Sequence, residues 1–318
     1  MFDLTAFAKF EVTGPKALPF LQSLTANQMD KPVGSVTYTA MLNERGGIKC
    51  DLTVTRLGEN RFWIVTGGGM AMHDLAWIKM HLPDDGSAQV NDVSSAYCCI
   101  GVWGPAARDL VRKVSDDFSF PYLTARQVTI SHVPALAIRI SYAGELGWEI
   151  YAPVEFGLRL WDVLWEAGTP LGVTPVGGGA FDSLRLEKGY RLWGSDIHTE
   201  YNPYEAGLGF AVRLDKGDFI GRSALKTEPT RKLCCLTFTD PQVAVMGKEP
   251  ILDGDHILGY VTSANYGYSI GKSIAYGYLP VSHAQEGTPV EIYYFGSRHP
   301  AIVTKEPLYD PRNVKLKS

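Results

Sequence analysis

Hydrophobic and polar positions alternate early in the chain in the way that β-strands require. The alternation runs through 35–42 and 50–57, on either side of a glycine-containing turn at 43–47, and it returns at 61–66. This spacing predicts a β-hairpin followed by a third strand. Over 72–82 the apolar residues recur at helical spacing instead, until a proline ends the run. A helix should therefore follow the third strand.

The middle of the chain repeats this mixture of elements. Apolar runs predict strands at 98–103, at two places in 128–142 separated by Pro134, and at 145–151. Thr13-Gly14-Pro15 indicates the start of a helix that runs to about residue 24. Helical spacing and end signals predict three more helices, one that begins after Gly104-Pro105, one at 158–168 and one at 179–188. Gly189 follows the last of these, where a glycine commonly ends a helix.

The character of the sequence changes beyond about residue 226. From there to the end, strand-like runs alternate with Gly, Pro and Asn. Short strands at regular spacing with such punctuation are typical of a compact β-barrel or sandwich. The last 90 or so residues therefore predict an all-β unit, in contrast to the mixed elements before it.

Composition narrows the function classes. The chain has 318 residues, enough for two or three domains, and a net charge of −4. That charge gives no basic surface for nucleic acid or an anionic membrane. No apolar run approaches the roughly 20 residues that span a bilayer, and the N-terminus lacks the features of a signal peptide. We therefore expect a cytoplasmic protein that binds neither nucleic acid nor membrane.

The cysteines do not indicate a metal site. Four of the five form the adjacent pairs Cys98-Cys99 and Cys234-Cys235, each in a strand-like run, and the fifth is Cys50. Neighbouring residues on a strand point to opposite faces, so such a pair is badly placed to hold one metal ion. We expect buried, reduced thiols and no bound metal.

Several motifs occur in a fixed order along the chain. The first is 46–53 (GGIKCDLT), and the second is 181–190 (FDSLRLEKGY), continued by 194–197 (GSDI) and 205–208 (EAGL). Two more, GYVTS and IAYGY, lie at 259–263 and 274–278. Together they resemble the folate-binding aminomethyltransferase family, which includes the glycine-cleavage T-protein and the folate domains of dimethylglycine and sarcosine oxidases. The resemblance covers nearly the whole chain and implies tetrahydrofolate as the cofactor.

The resemblance also implies a fold. It is an α+β, three-domain cloverleaf around a central folate channel, with a C-terminal β-barrel or jelly-roll-like domain. Mapped onto this sequence, the domains would be 1–90 plus 175–225, then 91–174, then 226–318. Family members carry several tens of residues before the position of Phe2. We therefore expect the domain at 91–174 to lack its N-terminal part, either as a natural short form or as part of a larger assembly.

One group of candidate site residues lies on the predicted hairpin. Asp51 and Thr53 are two residues apart on a strand, so both project from one face. In the family, the aspartate at this position lies beside the reactive N5–N10 edge of the folate. The resemblance therefore implies Asp51 as the catalytic residue, able to exchange a proton and to stabilise positive charge. Thr53 and Tyr38 are the implied cofactor contacts, with ordinary core packing as the alternative for Tyr38.

A second group lies in the segment 141–149 (SYAGELGWE). A carboxylate can accept two adjacent N–H groups of a pterin as a pair of hydrogen bonds. The family uses the glutamate at the position of Glu149 for this contact, and its oxidase branch has a tyrosine at the position of Tyr142. Glu145 is the competing candidate. Arg185, in the second motif, is expected to be a structural, ion-paired charge.

The resemblance implies two functions of different classes. The first is tetrahydrofolate-dependent methyl or methylene transfer from an N-methylated amine such as glycine betaine, dimethylglycine or sarcosine, a demethylase reaction. Phe181 and Cys50 replace an arginine and an aspartate of the T-protein, and both changes favour the oxidase branch. Since the chain has no flavin-binding fingerprint, a separate flavoprotein subunit is a candidate partner. The second function is a non-catalytic folate-binding or assembly module of such a complex.

Overall fold

The structure of the protein is a computed structural model that describes residues 1–226 and 228–318. Its strands are β1 (Phe2–Asp3), β2 (Ala8–Thr13), β3 (Val36–Leu42), β4 (Ile48–Gly58), β5 (Arg61–Thr66), β6 (Gln89–Asp92), β7 (Tyr97–Trp103), β8 (Ala125–Ile130), β9 (Val133–Ile138), β10 (Gly147–Pro153), β11 (Arg231–Phe238), β12 (Pro250–Asp253), β13 (His256–Gly267), β14 (Lys272–Pro280), β15 (Pro289–Tyr294) and β16 (Ser297–Thr304). Its α-helices are α1 (Ala17–Leu24), α2 (Ala71–Met80), α3 (Ala107–Arg112), α4 (Gly157–Gly168), α5 (Gly178–Glu187) and α6 (Val314–Lys317).

The predicted hairpin forms the edge of a five-stranded sheet with the order β3-β4-β5-β2-β6. Its strands alternate between two faces. One face carries Phe10, Leu52 and Ile64, which are buried against Leu21 of α1 and Ile78 of α2. The other face carries the polar motif residues of the hairpin. Burial of the first face under the helices therefore determines where the second face points.

A second five-stranded sheet has the order β1-β7-β10-β9-β8. Trp148 and Ile150 of β10 are buried on one face with Leu160 and Leu164 of α4. The adjacent cysteines follow the same alternation, because Cys98 belongs to this core and Cys99 to the core on the opposite face. The expectation of buried free thiols is confirmed for all five cysteines.

The two sheets pack against each other through the faces opposite to α1 and α2 on the first sheet and to α4 on the second. Val36, Trp63 and Val65 of the first sheet share one apolar core with Cys99 and Tyr151 of the second. Side chains further along the same strands then also lie on facing surfaces, because residues at i and i+2 share a side. Asp51 and Thr53 of the first sheet and Glu149 of the second lie on these facing surfaces.

The remaining strands β11-β14-β13-β12-β15-β16 close into a barrel. Helix α5, which contains the FDSLRLEKGY motif, packs against β13. Arg185 of α5 forms a buried ion pair with Asp196, with 2.5 Å between Nη1 and Oδ2, and its Nη2 donates to Ser263 Oγ of β13 at 2.9 Å. As expected, this arginine has structural partners.

The α+β class and the C-terminal barrel are confirmed. The domain limits 1–90 with 175–225, 91–174 and 226–318 stay a prediction. Strand β1 belongs to the first of these ranges, but it pairs with β7 of the second. Among the described residues, no helix combines the length and apolar character needed to cross a membrane.

Two sequence predictions were wrong in detail. Helix α1 begins at Ala17 and not at Thr13, which ends β2, and Gly14 makes the intervening turn with φ +119°. Pro134 does not break a strand but lies inside β9, opposite Thr129. The pairing of β9 with β10 covers only Leu136 to Ile138, so β10 does not require the N–H that Pro134 lacks.

Candidate functional site

The turn before Asp51 depends on glycine and asparagine. Asn43 Oδ1 accepts the Gly47 N–H at 2.9 Å, which closes the turn. A Cβ on Gly47 would lie 1.9 Å from the carbonyl oxygen of Thr199. Only glycine therefore allows the hairpin to approach the segment that follows the second motif. This close packing explains why the two distant motifs occur together.

Asp51 is half-buried on β4 and interacts with Tyr38 of β3. The Tyr38 hydroxyl donates to Asp51 Oδ2 at 2.9 Å. The pKa of Asp51 is raised to about 6, chiefly by burial and also by the nearby Asp74 carboxylate, while the Tyr38 hydrogen bond opposes the rise. A carboxyl group with such a pKa exchanges protons close to neutral pH.

Thr53 lies directly opposite Tyr38 in the hairpin register and on the same face as Asp51. The Tyr38 ring stacks on Phe210, with 6.0 Å between the ring centroids. Phe210 is 63% exposed despite its size. The carboxylate of Asp51 is therefore bordered by a hydroxyl and by aromatic surface.

A buried carboxylate behind Asp51 was missed by the sequence analysis. Asp74, in the first turn of α2, accepts the Thr66 hydroxyl at 2.6 Å and contacts His73 Nδ1 at 2.8 Å. Burial raises the pKa of Asp74. No pattern marks this residue, because an acidic side chain in a first helical turn is ordinary.

Glu149 lies on the facing surface of the second sheet and is 7% exposed. The Tyr151 hydroxyl donates to Glu149 Oε2 at 2.6 Å. Burial raises the pKa of Glu149 to about 7, against the effect of the Tyr151 hydrogen bond. Burial also raises the pKa of Tyr122, and the Glu149 charge raises it further. Tyr122 and Tyr151 are thus neighbours of Glu149 that the sequence analysis did not identify.

Tyr142 lies in the loop between β9 and β10. Its ring stacks between Phe181, at a centroid distance of 4.8 Å, and Tyr190, at 5.6 Å. Its hydroxyl donates to the backbone oxygen of Arg191 at 2.6 Å. Burial raises the pKa of Tyr142, and the charge of Asp51 contributes to the rise. Tyr142 therefore stands near Asp51, although the two residues are 91 positions apart in sequence.

The competing candidate Glu145 has other partners. Its Oε1 accepts a hydrogen bond from the Tyr309 hydroxyl and lies 3.9 Å from Lys315 Nζ. Both partners come from the C-terminal segment. These contacts give Glu145 a structural explanation, whereas the only residue that donates a hydrogen bond to the side chain of Glu149 among the described residues is Tyr151.

The donor set fits a reduced pterin. Within the described residues, Glu149 Oε1 accepts no hydrogen bond, so one oxygen of this carboxylate is left for a ligand N–H. Asp51 supplies a second carboxylate, and the exposed ring of Phe210 supplies flat aromatic surface. In the described part of the chain, no three His, Cys, Asp or Glu side chains are grouped so that they could hold a metal ion.

Comparison with known families agrees with this geometry. Residues 1–216 match the model described as GCVT N-terminal domain, and residues 231–310 match the glycine cleavage T-protein C-terminal barrel domain. The chain belongs to the glycine cleavage T-protein family, as the motif resemblance implied.

Individual relatives carry different activities in their names. The chain is 38% identical to human mitochondrial dimethylglycine dehydrogenase over 96% of its own length but only 36% of that protein. It is 37% identical to an aminomethyltransferase of Symbiobacterium thermophilum, over 97% of this chain and 86% of the relative. The crystal structure of the Bartonella henselae glycine cleavage aminomethyltransferase T superposes with a TM-score of 0.90 at 29% identity, covering 98% of this chain and 86% of that one. The chain thus spans little more than a third of the dehydrogenase.

Proposed function

We propose that this protein binds tetrahydrofolate and transfers a one-carbon unit to it from an N-methylated amine. The observation that supports this most directly is a pair of carboxyl groups, the half-buried Asp51 and the buried Glu149, on facing surfaces of two sheets, with pKa values raised to about 6 and about 7. Groups with perturbed pKa values near the working pH are typical of catalytic and binding sites. When bound, the folate supplies the nitrogen atoms that accept the one-carbon unit.

Glu149 would hold the aminopyrimidine end of the pterin. Its deep burial strengthens a hydrogen bond to a ligand N–H, because water does not compete for the carboxylate. The rings of Tyr142 and Phe181, stacked at 4.8 Å, would limit the position of the pterin. Thr53 and Tyr38 would line the opposite side, on the first sheet.

Asp51 would act at the reacting edge of the folate. Ionised, it stabilises positive charge on a methylated ammonium or iminium donor, and it can take up the proton that the reaction releases. The Tyr38 hydroxyl, at 2.9 Å, holds the carboxylate in place. The exposed ring of Phe210, stacked on Tyr38, offers a surface for a cationic donor.

The proposal extends to the identity of the methylated amine that donates the one-carbon unit and to a partner protein. Names of relatives include dimethylglycine dehydrogenase, sarcosine dehydrogenase and aminomethyltransferase. We propose dimethylglycine, sarcosine or glycine betaine as the donor. Because dehydrogenases are among the relatives, we propose that a flavoprotein supplies the oxidation when the donor is dimethylglycine or sarcosine. Transfer of a methyl group from glycine betaine would require no oxidation.

Two measurements test the proposal. Calorimetry should show tetrahydrofolate binding, and Glu149→Gln should weaken it by about 1.5–3 kcal/mol, the range for hydrogen bonds to charged groups. Absence of affinity for any reduced folate would contradict the proposal. The matched control is Glu145→Gln, because Glu145 contacts the C-terminal segment. If Glu145→Gln weakened binding and Glu149→Gln did not, the pterin contact would belong to Glu145.

Asp51→Asn separates binding from chemistry. The amide keeps the shape of the side chain, so folate affinity should change little, while single-turnover transfer from a panel of methylated amines should slow by about 10²–10⁴. The flavoprotein is included for donors that require oxidation. Folate binding without transfer from any donor in the wild-type protein would instead favour the non-catalytic module. Full activity of the variant would remove Asp51 from the mechanism.

A further inference from the structure

Tyr151 is the one described residue that hydrogen-bonds the side chain of Glu149. The distance from its hydroxyl to Glu149 Oε2 is 2.6 Å, and Tyr151 itself is 1% exposed. The two residues are separated by two positions on β10 and therefore share one face of the sheet. Solvent hardly reaches this pair, so the hydrogen bond does not compete with water.

The Tyr151 ring is itself held in place by the other sheet. Trp63 of β5 meets it edge to face, at a centroid distance of 5.1 Å and an interplanar angle of 65°. Trp63 also contacts Tyr97 at 4.9 Å in the same manner. On its own sheet, Tyr151 pairs with Cys99 in the strand register. The hydroxyl is therefore fixed by packing between two sheets.

We propose that Tyr151 is a positioning residue that orients the Glu149 carboxylate, occupying Oε2 so that Oε1 stays available to the pterin. This inference rests on the proposed function for the identity of the ligand. The carboxylate would otherwise rotate about its terminal torsion, whose energy wells are broad. Tyr151 would thus reduce the entropy that Glu149 loses when a ligand binds.

The same hydrogen bond controls the charge of Glu149. A hydroxyl that donates to a carboxylate favours the ionised form, and the Tyr151 bond opposes the rise that burial imposes on the pKa of Glu149. Without the hydroxyl, more of the glutamate would be protonated at neutral pH. A protonated carboxyl group accepts a pair of pterin N–H groups poorly.

Tyr151→Phe tests the inference, since it removes the hydroxyl and keeps the ring. Tetrahydrofolate binding at pH 7.5 should weaken about 10-fold or more, the equivalent of a charged hydrogen bond, and affinity should recover towards higher pH. Tyr97→Phe is the matched control, because it removes a hydroxyl from the same aromatic cluster without contacting Glu149. That control should bind folate like the wild-type protein.

A second readout does not depend on folate. Carbon-detected NMR of the ligand-free protein should show the Glu149 carboxyl titrating at a pH higher by about one unit or more in Tyr151→Phe. An unchanged titration, or a loss of folate affinity that is equal at every pH, would overturn the inference. Failure of the wild-type protein to bind folate would contradict the proposed function, while the titration would still test the Tyr151–Glu149 pair.

Discussion

Ionisation of Glu149 should make the ligand-free protein less stable as the pH rises. Burial raises the pKa of this residue from 4.5 to about 7 in the folded state, so the folded protein holds the proton more tightly than the unfolded chain. The free energy of unfolding therefore falls across the window between these two values. The difference of about 2.5 units (7 − 4.5) corresponds to about 3 kcal/mol in total.

Glu149→Gln isolates this contribution. The amide is nearly the same size and can still accept the Tyr151 hydroxyl, but it does not titrate. Between pH 5 and pH 7.5 the wild-type protein should lose about 2 kcal/mol of unfolding free energy that the variant retains. The measurement is urea denaturation of both proteins at the two pH values, without folate.

The control for this experiment is Asp51→Asn. Burial also raises the pKa of Asp51, from 3.8 to about 6, so this carboxyl produces a slope of the same sign at lower pH. The double variant should show the flattest dependence of stability on pH. If Glu149→Gln had the same pH dependence as the wild-type protein, Glu149 would be ionised without penalty, and the reasoning from its burial would be refuted.

Two further substitutions test the contacts that hold the motifs together. Asp196→Asn should destabilise the protein by about 1.5–3 kcal/mol, because it removes the buried carboxylate that pairs with Arg185 and leaves the more exposed Asp182, 2.8 Å from Nη2, as the remaining charged partner. Denaturant midpoints measure this loss, and a value below about 1 kcal/mol would contradict the contribution of the buried ion pair. Gly47→Ala should cost about 1–3 kcal/mol, since its Cβ would lie 1.9 Å from the Thr199 oxygen. Gly69→Ala is the control, because nothing lies within 4 Å of a Cβ there. Equal melting temperatures for the two alanine variants would refute the close approach.

Much of the local structure could be predicted from the chain itself. The hairpin over 35–57 was confirmed because alternation and turn residues are properties of neighbouring positions, and β3 and β4 form it. The error at Pro134 has the opposite origin. A proline is compatible with a strand when no partner needs its N–H, and the pairing partner of β9 could not be known from its sequence.

Some residues of the candidate site could also be found from the sequence, and others could not. Asp51 and Glu149 could be named from the motifs, and the chemical roles assigned to these two residues stay a prediction. Tyr151 was not named, although it stands two positions after Glu149 in the printed sequence. Its importance depends on the hydroxyl pointing at a buried carboxylate and on Trp63 holding the ring. A tyrosine in a strand is otherwise an ordinary core residue.

The sequence by itself determined the hairpin, the all-β character of the last part and the family, because these depend on local periodicity and on motifs in order. Only the tertiary structure decided which surfaces face each other. Packing of helices on one side of each sheet leaves the other sides to meet, and this places Asp51 and Glu149 on facing surfaces. The raised pKa values of both carboxyl groups follow from that burial, since the loss of water is a property of the assembled sheets and of no single segment.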